Sequence, residues 1–303
     1  MFAKYQREIT ITDRFAGLAV KDYLKQIFLP KHLRGNLRHE RGLQINGQQV
    51  STAHVLKTGD QLTLAFQEAV FLDQQGPYPA NTDGTFAIVY QNEDLLVVNK
   101  PAGMKMHPHS PTETDTLLNY VNGYFQTNPQ KSADQPAQAL MVHRLDRATS
   151  GLVIIAKNPI VVPILNRLIK EKIIQRTYLA RVRGLFDQKV GIFEQRIGRH
   201  PSDDRLRWLD ATGQSATTHY QVLSEDRKRN ESLVRLELQT GRMHQLRVHL
   251  AGNGHPINGD DLYHGKADKR LALHSTALLL VLPFTGEQVL LEERAGLISK
   301  NSN

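Results

Sequence analysis

The sequence predicts an α+β chain in two parts, a small N-terminal α/β domain and then a larger domain that mixes helices with sheet. Three observations carry that prediction. The length of 303 residues corresponds to about two domains at roughly 150 residues each. Residues 67–86 collect Gly, Pro, Asn and Asp between two better-patterned regions, which marks 71–85 as a linker. On both sides of it short β-type runs accompany helical apolar patterns, with no internal repeat and no extended low-complexity segment. The expected division is 1–70, a linker at 71–85, a second domain at 86–295, and a frayed tail at 296–303.

In the first domain Ala16, Ala19, Val20, Tyr23, Leu24, Ile27 and Phe28 recur at helical spacing, so a helix is expected from Ala16 to Phe28. A second helix should follow Pro30, since proline suits the start of a helix. Leu43-Gln-Ile45 then runs into Asn46-Gly47, a strong hairpin turn signal. Lys57-Thr-Gly59-Asp60 is a further turn, before the alternating strand Gln61–Ala65. Lys31, Arg34, Arg38 and Arg41 are spaced by three, four and three, which puts all four on one face of the second helix. Nothing acidic balances Lys31, Arg34 or Arg41 at i±4, so the stripe suits a phosphate backbone better than a neutral solvated face. Over about residues 12–66 this arrangement resembles an S4-type RNA-binding module, although the first helix opens Gly17-Leu-Ala-Val-Lys-Asp22 rather than with the usual Arg-Leu-Asp.

In the second domain Phe86–Tyr90 and Leu95–Val98 are short strands, and Asp115–Phe125 is an amphipathic helix. Gln126–Gln138, rich in Pro, Gln and Ser, is expected as a loop insertion. Gly151–Ala156 is a buried strand and Val161–Lys172 a helix, while Thr177–Val182 and Leu233–Leu238 alternate like half-buried strands.

Composition removes whole classes of function. There is no cysteine, hence no disulfide, iron–sulfur cluster, zinc ribbon or thiol nucleophile, and the expected compartment is the cytoplasm. The start, MFAKYQREIT, lacks the apolar core of a signal peptide. The longest apolar run, Ala277–Leu282, falls far short of the ~20 residues that span a bilayer. A formal charge of +8 favours an anionic partner. Residues 1–70 hold ten basic and six acidic residues against 28 and 24 in the remainder, so the first quarter of the chain carries half the excess.

Three stretches could carry chemistry. In His143-Arg144-Leu145-Asp146-Arg147 a carboxylate lies among arginines, which favours its ionised form and fits it as nucleophile, base or ligand. A structural ion pair is the commoner fate of such a neighbourhood. A kinase-like His-Arg-Asp reading fails for want of a glycine-rich phosphate loop, and no metal spacing occurs among the thirteen histidines. The second stretch, Thr240–Leu250, reads as a short helix stopped by Gly252 and Gly254. Within it Arg247 stands out, while His244 and His249 read as structural hydrogen bonders; a turn-rich loop with carboxylates, Ile257–Tyr263, follows. In the third, Tyr178, Ala180 and Val182 share one face of a strand, opposite Arg181 and Arg183. An aromatic beside arginines is the composition that stacks bases and holds phosphates, and equally that of a core tyrosine.

Residues 143–157, HRLDRATSGLVIIAK, strongly resemble the catalytic-aspartate motif of RluA-type pseudouridine synthases. The likeness extends, in the family's order, from Asn99-Lys100-Pro101-Ala-Gly103 and His107-Pro108 through Arg176-Thr-Tyr178-Leu-Ala and residues 241–265 to Leu271-Ala-Leu273-His274. Leu282-Pro283 stands where the family has His-Pro, which bears on local packing. The resemblance implies a mixed, largely antiparallel sheet with a central cleft bearing Asp146. It makes Asp146 the essential residue, whether it attacks the base, attacks the ribose or removes a sugar proton. It implies Arg247 as salt-bridge partner, Tyr178 stacked on the uracil and available to handle the C5 proton, and Arg144 filling the gap left by a flipped nucleotide. It implies RNA as partner (large-subunit rRNA first, tRNA second), no cofactor and no metal; a monomer is expected. Two competing readings are a non-catalytic RNA-binding or ribosome-assembly protein, which would have no reason to keep Asp146, Tyr178 and Arg247 together, and a methyltransferase, for which no glycine-rich cofactor loop is present.

Overall fold

Lys4–Thr10 forms strand β1, an element the sequence reading did not assign. Tyr5 and Ile9 point into the core, but the inward position between them is Arg7, which breaks the apolar alternation. The computed structural model describes residues 4–71 and 78–293. Helix α1 (Val20–Gln26) begins later than its apolar pattern, because Gly17 turns the chain through a left-handed conformation at φ +84°. Helix α2 (Lys31–His39) follows Pro30 as expected, with Leu33 and Leu37 buried. Strands β2 (Leu43–Ile45) and β3 (Gln48–Gln49) form the hairpin around Asn46-Gly47, and β4 (Gln61–Gln67) completes an antiparallel sheet of order β1-β4-β2-β3. Arg41 lies beyond the end of α2 with φ +55°, so the four-residue stripe is corrected to three helical positions plus a turn.

The second sheet is built from β5 (Ala87–Gln91) and β6 (Leu95–Lys100), with helix α3 (Leu117–Thr127) following. The expected loop insertion carries a small hairpin, β7 (Lys131–Ser132) and β8 (Gln135–Pro136). Then come β9 (Leu140–Met141), β10 (Ser150–Ala156), helix α4 (Val161–Lys170), β11 (Gln175–Arg183) and β12 (Val190–Phe193). A separate ribbon, β13 (Ile197–Arg199) with β14 (Arg207–Leu209), precedes the long strands β15 (Thr218–Asp226) and β16 (Glu231–Leu238). Helix α5 (Gln245–Gly252), β17 (Leu273–Val281) and β18 (Gln288–Glu292) end the described chain.

The ten-stranded sheet runs β12-β15-β16-β11-β17-β10-β6-β5, with β9 on β10 and β18 on β17. Among the described residues every pairing in it is antiparallel except one: β10 and β17 run parallel over Ser150↔His274 and Gly151↔Ser275. The mixed, largely antiparallel sheet implied by the family resemblance is therefore present. β6 and β10 read as unbroken apolar runs because both faces are covered. Leu95, Val97, Leu152 and Ile154 enter a core shared with α4 and the N-terminal domain, whereas Leu96, Val98, Val153 and Ile155 enter a second core under α3.

The first domain is docked on the second, sharing a core with it. Arg7 makes a two-pronged bond to Asp94 (2.9 Å each) and an ion pair with Glu93 (3.0 Å). The Tyr23 hydroxyl donates to the Phe284 carbonyl (3.1 Å), and Arg14 to that of Gly286 (2.7 Å). The hairpin of the 126–138 insertion reaches across as well, with the Gln6 N–H donating to the Ala133 carbonyl (3.0 Å). Leu282, at the position where the sequence departs from the family's His-Pro, is buried in this shared core. The expected linker lies partly outside the described residues; from Tyr78 on it is pinned to α3, with Asn119 and Asn122 donating to the carbonyls of Pro79 and Tyr78 (2.7 Å each).

Candidate active site

The loop 143–149 enters the sheet at its one parallel junction. There Gly151 adopts φ +117°, and a Cβ on it would lie 2.3 Å from the Ser275 carbonyl oxygen. The junction is thus closed so tightly that only glycine fits, which fixes where the loop stands relative to β17. Three side chains pin the loop itself. His143 Nε2 accepts the Ile154 N–H (3.0 Å), filling a bond that β17 cannot supply where it diverges from β10. Arg147 Nε donates to the Gly103 carbonyl (2.9 Å), and the Gly103 N–H returns to the Arg147 carbonyl (2.8 Å). Fully buried Lys100 spends its three N–H donors on the carbonyls of Pro101 (2.9 Å), Met104 (2.8 Å) and Arg147 (3.2 Å). Burial pulls the Lys100 ammonium down to about 8, with the Asp146 carboxylate opposing the shift.

So held, Asp146 faces a cleft of about 680 Å³ lined by Arg144, Tyr178, His244 and Arg247, with Asn166 and Lys170 of α4 on another wall. Arg247 Nη1 lies 3.8 Å from Asp146 Oδ2, and His244 Nε2 lies 3.9 Å from the same oxygen. The tight partner of Arg247 is Asp260, which accepts from Nε (2.8 Å) and Nη2 (2.6 Å) and is itself fully shut away from solvent. Burial works against the Arg247 charge, and its bonds and attraction to Asp260, with help from Asp146, more than offset it. The guanidinium also stacks on the Tyr263 ring at 4.9 Å. Tyr178 is buried on β11 at a bulge against β17, a device that re-aims side chains next to sites. This is a carboxylate, a fixed cation and an aromatic floor around one concave space.

Comparison with known proteins agrees with that geometry. A family model described as RNA pseudouridylate synthase matches residues 94–252, and one described as the RluD ribosomal pseudouridine synthase N-terminal domain matches residues 7–62. An uncharacterized RNA pseudouridine synthase of Bacillus subtilis (strain 168), YhcT, is 36% identical over 252 residues, 82% of this chain and 80% of that protein. Ribosomal large subunit pseudouridine synthase D of Nitrosomonas europaea is 31% identical over 299 residues, 94% of this chain and 83% of that one. The chain belongs to the RluA-type RNA pseudouridine synthases. The solved human RNA pseudouridylate synthase domain containing 1 superposes with a TM-score of 0.58 at 27% identity, covering 72% of the synthase and 86% of that chain.

Of the residues singled out in the sequence, the fold of the synthase brings Asp146, Tyr178, Arg247 and Arg144 to one cleft. Lys31, Arg34, Arg38 and Arg41 are not among its lining. They stand on the first domain, where Lys31, Arg38 and Arg41 are exposed and Arg34 is half-buried. His249 is the structural hydrogen bonder expected, bonded to Thr218 Oγ1 (2.9 Å) and the Gln195 carbonyl (3.0 Å). His244 is also bonded, through Nδ1 to the Tyr263 hydroxyl (2.8 Å), while its second nitrogen faces the cleft. Sequence reasoning also missed Asp260, for which the only signal was the carboxylate-bearing turn after α5.

The loop anchor has a pH signature. Burial, reinforced by the nearby Arg176 charge, depresses His143 to about 3, whereas in the unfolded chain it titrates near 6.5. Stability linked to this ring is complete above pH 6.5 and falls as the pH drops towards 3, by up to about 1.4 kcal/mol per pH unit. Urea unfolding at pH 6.5 and 4.5 should therefore show His143→Gln losing about 2 kcal/mol less over that interval than the unsubstituted chain.

Proposed function

We propose that the synthase isomerises uridine in large-subunit ribosomal RNA, with Asp146 as its essential catalytic residue. The observation that carries the reading is the Asp146 carboxylate set 3.8 Å from a fixed Arg247 in the cleft that Tyr178 lines. The reaction breaks the bond from N1 of uracil to C1′ of the ribose, turns the base and joins C5 to C1′, with C5 giving up its proton to solvent and N1 taking one up. It moves one bond within one nucleotide, so it consumes no redox cofactor and no nucleotide. Arg247 keeps the Asp146 charge in place, Tyr178 stacks on the uracil, and exposed Arg144 occupies the gap left in the RNA by the extruded nucleotide. Ribosomal RNA is preferred to tRNA because several relatives carry the name ribosomal large subunit pseudouridine synthase D. This reading places the synthase in the cytoplasm as a monomer.

Transcripts of large-subunit rRNA and of tRNA, each carrying 5-tritiated uridine, test the substrate. Tritium should be released from the first and not from the second; the reverse pattern overturns the rRNA assignment.

In the same reading residues 1–70 hold the RNA flanking the target, and 86–295 perform the chemistry. Reversing the charge of Lys31, Arg34, Arg38 and Arg41 should weaken RNA binding. It should also flatten the slope of log affinity against log salt by up to roughly 3 units, about 0.7 for each single-strand phosphate that is no longer neutralised. An unchanged slope in a filter-binding salt series would mean the stripe is a solvated face.

A further inference from the structure

His244 is the N-cap of α5, yet it holds the left-handed conformation (φ 57°, ψ 19°) that non-glycine residues rarely adopt. Such an outlier at a cleft points to a constraint on where the side chain must go. The conformation carries the imidazole between two partners. Its Nδ1 lies 2.8 Å from the Tyr263 hydroxyl, and its Nε2 lies 3.9 Å from Asp146 Oδ2. The Tyr263 hydroxyl is in turn fixed from outside, accepting the backbone N–H of Arg207 (2.9 Å) from the β13–β14 ribbon.

Proton placement follows from the donors available. With its oxygen already accepting the Arg207 N–H, Tyr263 has one proton to give, and Nδ1 of His244 is the acceptor in reach. The Nε2 then carries the imidazole proton and presents it to a carboxylate. In the opposite tautomer an Nε2 lone pair would confront the lone pairs of Asp146, and the Tyr263 proton would have no partner in His244. Asp146 needs a donor. Two of the Arg247 nitrogens are spent on Asp260, and among the described residues no side chain lies within hydrogen-bond distance of the Asp146 carboxylate. Hydrogen bonds of this kind are often long without substrate and shorten in the reacting complex.

We propose that His244 is a positioning residue for Asp146, a neutral imidazole whose Nε2–H, fixed by the Tyr263 hydroxyl, aligns the carboxylate for reaction. Burial, more than the opposing Asp146 charge, keeps this ring below its ordinary titration range, so it acts as a dipole and not as a second cation beside Arg247. The role rests on Asp146 being the catalytic residue.

The test uses the full-length synthase and tritium release from 5-tritiated uridine in RNA. His244→Asn, which tolerates the left-handed backbone but ends short of Asp146, and Tyr263→Phe should each lower kcat about ten- to a hundredfold, the worth of a hydrogen bond to a charged group, with KM for RNA nearly unchanged. Tyr263→Phe keeps the ring that stacks on Arg247, so it separates loss of the hydroxyl from loss of the fold. Nitrogen-15 spectra of labelled histidine should show His244 protonated at Nε2, and Asp146→Asn should move that Nε2 resonance. Unchanged kcat in both variants, or a His244 proton on Nδ1, overturns the proposal. If Asp146→Asn itself remains active, the catalytic assignment fails instead, which the same assay reports separately.

Discussion

Asp146→Asn should abolish tritium release from 5-tritiated uridine in RNA, by on the order of 10⁴-fold or more, while RNA binding stays within about twofold of the unsubstituted synthase. Asparagine preserves the shape of the side chain and removes the charge and the nucleophilic oxygen, so every route open to Asp146 is closed by it. Binding should survive because the loop is held by bonds that do not involve the Asp146 carboxylate: Lys100 on the Arg147 carbonyl, His143 on the Ile154 N–H, and the Arg147–Gly103 exchange. Release at the normal rate would remove Asp146 from the mechanism. Loss of binding together with release would mean that the residue builds the cleft.

Asp260→Ala should be the most damaging change outside the reacting groups. Asp260 is fully shut away from solvent and takes two hydrogen bonds from buried Arg247, as well as the N–H groups of Leu262 (3.1 Å) and Tyr263 (3.2 Å). Removing one member of a buried pair leaves the other charge uncompensated, at a cost of about 3–5 kcal/mol. For a chain of this size that is a fall of roughly 5–8 °C in Tm. Activity should fall further than stability explains, because freed Arg247 no longer stands at a set distance from Asp146. Thermal unfolding and tritium release measured on the same preparation check both parts. An unchanged Tm would show that the pair contributes nothing to the fold.

How much of this was legible depended on the sequence distance between partners. The Asp146 loop could be read because its arginines, the strand Gly151–Ala156 and the implied flipping residue Arg144 are neighbours in the chain. Helix α2 could be read from Pro30 and the three- and four-residue spacing of the basic residues after it. Strand β1 could not, because Arg7 takes an inward position and the carboxylate that makes this tolerable, Asp94, is 87 residues away. The docking of the first domain was hidden for the same reason: the Tyr23 hydroxyl finds its acceptor 261 residues on, at Phe284. Asp260 lies only 13 residues from Arg247, yet it was unreadable as a partner because a helix and a turn, not periodicity, decide that the two meet. The turn of His244 towards the cleft was unreadable because its orientation comes from a left-handed backbone that no spacing rule for α5 anticipates. The cleft itself forms where β10 meets β17 in parallel, a pairing between strands more than 120 residues apart.

The most direct test of the central claim is a pseudouridine map of total RNA from cells lacking the gene and from the same cells given back either the natural gene or its Asp146→Asn form. The account predicts one or more large-subunit rRNA positions that lose pseudouridine without the gene, regain it with the natural gene, and stay uridine with Asp146→Asn. Restoration by Asp146→Asn, or an unchanged large-subunit rRNA map without the gene, would contradict it.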